Sequence, residues 1–163
     1  MKKKIWILIM IAIMFLFTGC EKESNSENIE DSSLHHYSAR ELVFDLPSSF
    51  NSIPSDKVGV YRFAMGKDES IQMVIYTSSL EEEIDLDSYA HDKPELSGTI
   101  SKKEFHGNEW YVFINNHDAY YISQYNRYLY EIEFHNQDEK DETFEDVIMM
   151  FEKSLSFEVM DEK

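Results

Sequence analysis

The chain is short of the residues on which several kinds of chemistry depend. It has one Cys, five Gly and three Pro in 163 residues. A single Cys forms no internal disulfide, which excludes a disulfide-stapled scaffold and any Cys-rich zinc site. The Gly residues are never clustered, so no glycine-rich loop is present to cradle phosphate, and nucleotide enzymes are excluded. Basic blocks are missing beyond Lys2, Lys3 and Lys4, while 32 Asp and Glu face 15 Lys and Arg for a net charge of −17. Nothing there neutralises a phosphate backbone, so nucleic acid is not an expected partner. No Gly-x-Ser-x-Gly elbow, no H-E-x-x-H pair and no D-x-D-x-D-G loop occurs. The sequence therefore nominates no catalytic residue, no metal-ligand set and no cofactor, and the expectation is a protein that is not an enzyme.

What is present begins with a targeting signal. Lys2 to Lys4 precede 13 apolar residues, Ile5 to Phe17, and then Thr18-Gly19-Cys20. That apolar run is shorter than the roughly 20 residues of a bilayer-spanning helix and has the charged start of a secretory signal. Phe17-Thr18-Gly19-Cys20 resembles the bacterial lipobox, although the pattern prefers Leu where Phe17 stands. The resemblance implies cleavage between Gly19 and Cys20 and diacylation of the Cys20 thiol. Each buried acyl CH₂ contributes about 0.8 kcal/mol, so two chains hold a protein on a membrane. The expectation is a signal peptide over 1–19 and a lipid-anchored protein on the extracytoplasmic face of a bacterial membrane. Glu21 after that Cys and the Lys, Ile, Asn and Glu usage fit a Gram-positive host.

Residues 20–40 are rich in Ser, Asn and Glu, with only Ile29, Leu34 and Tyr37 as sizeable apolar side chains. Such a stretch buries too little surface to fold and reads as a flexible tether of about 25 Å. From Glu41 to Lys163 the text becomes that of one α+β domain, an antiparallel sheet flanked by helices. Strands are expected at 42–47, stopped by Pro47, at 58–65 and at 70–77, the last two joined as a hairpin. Leu86, Tyr89 and Ala90 behind Asp85 predict a short capped helix. Runs at 99–105, 110–114, 119–125 and 128–134, separated by short polar turns, predict an antiparallel meander. Phe144, Val147, Ile148, Phe151 and Leu155 form the apolar stripe of an amphipathic helix, with Ser156 to Val159 as a closing strand.

This order of elements, from Val43 to Val159, resembles the Mog1/PsbP-like superfamily of small α/β sandwiches. The residues that carry the likeness are Phe44-Asp45-Leu46-Pro47-Ser48-Ser49-Phe50, the helix Asp87-Ser88-Tyr89-Ala90, the Tyr-rich meander, and the helix that runs from Phe144 into Ser154-Leu155-Ser156-Phe157. The family usually has Trp or Tyr where Phe50 stands. The resemblance implies a binding or assembly module, and members recur as extracytoplasmic lipoproteins.

Candidate functional residues are few. The six His show no ligand spacing and read as surface residues. Two acidic stretches, 81–87 and 138–146, each surround a helix start. They suit the helix dipole, and a divalent cation is the weaker alternative. Tyr120, Tyr121, Tyr125, Glu131 and Glu133 on two neighbouring strands are the candidate surface for a partner or ligand, with Tyr120 and Ile122 as an outward patch; the plainer reading of that face is core or a helix-covered sheet. The reading is a lipoprotein that binds an envelope protein partner or supports an envelope assembly through that surface. The alternative is a module for a small ligand or divalent cation.

Overall fold

The computed structural model describes residues 33–94, 96, 98–137 and 143–158. The signal with Gly19 and Cys20, the tether up to residue 32, the acids of 138–142 and Val159 lie outside the described residues.

The chain order is β1 (Leu34–Ala39), β2 (Leu42–Pro47), β3 (Phe50–Ile53), β4 (Val60–Met65), β5 (Ile71–Ser79), α1 (Leu86–His91), β6 (Ser101–Phe105), β7 (Asn108–Ile114), β8 (Asp118–Tyr125), β9 (Tyr128–Asn136), α2 (Thr143–Ser154) and β10 (Ser156–Phe157). Seven strands make one antiparallel sheet in the order β3-β4-β5-β9-β8-β7-β6, and β1-β2-β10 make a second. The fold is α+β, as the spacing predicts. Period-two alternation explains the large sheet. Met73 and Ile75 on β5, Tyr121 on β8 and Ile132 and Phe134 on β9 all point to one face and are buried. The stripe of α2 and the small sheet pack on that face, where Phe151 sits edge-on to Phe44, Tyr121 and Phe134 at centroid distances of 5.6, 5.3 and 5.0 Å.

Two local expectations fail. Residues 34–39 are not tether but strand β1, paired along its whole length with β2. The reason lies in β2, whose Leu42, Val43, Phe44 and Leu46 are buried. A buried strand needs main-chain partners on both edges, whatever their side chains. β1 supplies one edge. β10 supplies the other at Val43 and Leu42, and the Ser154 hydroxyl accepts the Asp45 N–H at 2.8 Å. Tyr37 secures β1 by stacking on Phe44 and donating its hydroxyl to the Phe50 carbonyl at 2.9 Å. The second miss is β3, a four-residue strand that begins at Phe50 and pairs with β4.

Candidate functional site

The outer face of the large sheet, opposite the core, is only half covered. Asp85 caps α1 by accepting the N–H groups of Asp87 and Ser88, and the Ser88 hydroxyl holds the Asp85 carboxyl below the usual range. The capped helix lies on β8 and β7, and Ala90 and Leu96 close over Tyr111, Phe113, Ile122 and Leu129 in a second apolar cluster. Gly98 lets the connection lie flat, because a Cβ there would stand 2.5 Å from Phe113 Cε2. Neither helix packs on β4 or β5 on this face, where Arg62 is exposed, Gln72, Val74 and Tyr76 are half-buried and Ala64 is buried among its neighbours.

A narrow crevice follows the border between the covered and bare halves, lined by Lys93, Leu96, Tyr120, Ile122, Glu131 and Glu133. Glu131 accepts hydrogen bonds from Lys93 Nζ and, at 3.1 Å, from the Tyr89 hydroxyl. Burial and then the Glu131 charge push the Tyr89 hydroxyl up. Burial works against the Lys93 charge, but the bond to Glu131 prevails and raises its pKa. Next along β9, His135 lies between two carboxylates, its Nδ1 2.9 Å from Asp118 Oδ1 and its Nε2 3.4 Å from Glu133 Oε2. Glu133 and then Asp118 outweigh burial and push the imidazole up to about 8. On β5, Tyr76 is pushed up by burial and then by Glu133.

The candidate surface residues divide between the two faces. Tyr120, Glu131 and Glu133 are on the outer face at the crevice. Tyr121 is not a surface residue: it is 0% exposed and donates to Glu152 Oε1 at 3.0 Å, because one step along a strand reverses the side chain. Tyr125 also turns to the core side and stacks on Phe157 at 4.3 Å. Tyr120 and Ile122 do not form an exposed patch: Ile122 is buried under the α1 connection, which is the helix-covered arrangement. Lys93, Tyr89, Tyr76 and His135 carry the site with them and were not singled out by spacing. His135, Gln72 and Asp118 are cross-strand neighbours, a relation that exists only through register.

Of the two acidic stretches, the described acids lie on different layers. Residues 81–87 belong to the outer layer, and Glu145 and Asp146 to α2 on the core side. Among the described residues no three His, Asp or Glu side chains are arranged to hold a metal ion. His106 and His117 sit at turns at opposite ends of the meander.

With this geometry in hand, solved structures supply the comparison. The solution structure of cyanobacterial PsbP (CyanoP) from Synechocystis sp. superposes with a TM-score of 0.58 at 11% identity, over 87% of this chain and 99% of that one. The chain has the Mog1/PsbP-like fold. A crystal structure from Bacteroides thetaiotaomicron matches with a TM-score of 0.51 at 10% identity, over 81% of this chain and half of that chain. No protein-family model matches the chain, and no curated protein matches it.

Proposed function

We propose that this protein is a membrane-tethered, non-enzymatic module that binds a protein partner on the bare half of its outer sheet face, with the Cys20 lipid as anchor. One observation carries the reading: α1 packs on β8 and β7 and on neither β4 nor β5. The crevice beside that face has about 10 Å³ of free volume at its floor, the room of a single water molecule. Small-molecule sites enclose about 300–1,000 Å³, so a ligand pocket is the poorer fit. Glu131 at the crevice already accepts from Lys93 and Tyr89, which leaves it little to offer a divalent ion.

The full-length chain, expressed in a Gram-positive bacterium with a photo-crosslinking residue at position 76 or at Met149 on the exposed side of α2, tests this reading. Protein adducts should form from position 76 and not from 149, and Cys20→Ser should move the protein out of the membrane fraction. Absence of adducts from position 76, or membrane retention of Cys20→Ser, defeats the corresponding half.

A further inference from the structure

We infer that the occupant of the bare face is a second copy of this chain. The inference rests on the reading of that face as a protein-binding surface and adds the identity of the partner. Its basis is a row of cross-strand neighbours. Arg62 on β4 is opposite Val74 on β5, and Val74 is opposite Glu133 on β9. The row therefore runs base, apolar, acid, with Val74 at its centre and one strand spacing, about 4.8 Å, to either side. Arg62 is exposed and makes no ion pair or hydrogen bond among the described residues.

Such a row is complementary to itself. A twofold axis running along β5, between two sheets packed face to face, carries β4 of one copy over β9 of the other and leaves the row at the same height. Arg62 of each copy then meets Glu133 of its partner, and Val74 meets Val74. This is an isologous contact in which one patch serves both sides. Sheets stacked about 10 Å apart leave long side chains such as Arg and Glu able to meet, while Val fills the centre. Glu133 has room for the guanidinium, because a carboxylate offers about four acceptor sites and His135 lies at only one of its oxygens. The neighbouring row is compatible: Tyr76 meets Tyr76, and Glu131 keeps its bond to Lys93.

Two magnitudes set the strength of the association. The strip of three strands is about 14 Å wide, well short of a standard interface of about 800 Å² per partner, so it is weak in free solution and favoured where copies share one membrane. Without residues 1–19 and their three Lys, the lipidated chain keeps 12 Lys and Arg against 32 Asp and Glu, and this net charge of −20 repels a second copy over long range. The Debye length falls from about 30 Å at 0.01 M salt to about 8 Å at 0.15 M, so self-association should strengthen as salt rises through that range. A basic foreign partner would respond in the opposite direction.

The test uses the full-length chain in membranes with the crosslinker at position 76, read as the fraction at twice the chain mass, together with sedimentation of the same chain in detergent. The expected result is a homodimer adduct that falls at least about fivefold in Arg62→Glu and in Glu133→Arg and returns in the double variant, where the charges are exchanged. Circular dichroism of each variant reports folding, and recovery in the double variant excludes a merely misfolded single. A homodimer indifferent to both reversals, or association that weakens between 0.01 and 0.15 M salt, overturns the inference. Adducts with a different protein overturn it while leaving the proposed function standing, and absence of any adduct removes both.

Discussion

Raising the pH should loosen the β8–β9 edge of the outer face through His135. Its imidazole lies between Asp118 on β8 and Glu133 on its own strand, with the Tyr120 ring edge-on at 6.0 Å and Gln72 of β5 as its other neighbour. Its pKa rises from an ordinary 6.5 to about 8. At 1.36 kcal/mol per tenfold, that displacement corresponds to about 2 kcal/mol. The side chain is 37% exposed, and solvent screening reduces the value to about 1 kcal/mol. A raised folded-state pKa means that the folded protein holds the proton more tightly than the unfolded chain. The stabilisation is thus fully present below about pH 6.5 and is lost as pH rises through about 8. Urea unfolding of wild type and His135→Gln at pH 6 and pH 9 isolates it, because other titrating groups cancel in the difference. Wild type should lose about 1 kcal/mol more than the variant between the two conditions, or about 4 °C in Tm for a domain of this size. The imidazole proton resonance of His135 should titrate with a midpoint near 8. A midpoint at or below 6.5, or equal pH slopes in the two proteins, would refute the clamp.

Two further outcomes follow from the packing. Phe151→Ala removes the ring that joins α2 to both sheets, and thermal or urea unfolding should show a loss of about 4 kcal/mol. A loss under about 1.5 kcal/mol would mean that α2 does not close the core there. Gly98→Ala pushes a methyl group against the Phe113 ring and should cost about 1–3 kcal/mol, with faster hydrogen exchange across α1. Unchanged exchange in α1 would show that the connection does not depend on that close approach.

Much of the fold was legible in the sequence because its signals are local. Tyr130, Ile132 and Phe134 of β9 alternate with Glu131 and Glu133, and that period alone assigns a strand and a core face. Phe144 to Leu155 announce α2 by the same logic at 3.6 residues per turn. The short helix behind Asp85 was equally plain, since the cap and the stripe lie within six residues. Tyr121 was misplaced as a surface residue for a simpler reason: neighbouring Tyr residues on one strand look alike in composition but face opposite ways.

What the sequence determined by itself was the order of the elements other than β1 and β3, the inward face of the large sheet, and the acidity that sets how the surface meets charged partners. Tertiary structure alone decided that a polar stretch, 34–39, becomes β1, and that Lys93, Tyr89, Glu131, Glu133 and His135 share one border. The reason is that main-chain donors and acceptors are the same in every residue. Buried β2 recruits whichever segment the chain can bring to its edge, and no side-chain pattern in that segment has to announce it. The site depends likewise on strand register, which places Asp118 beside His135 and Val74 between Arg62 and Glu133 across long separations in sequence.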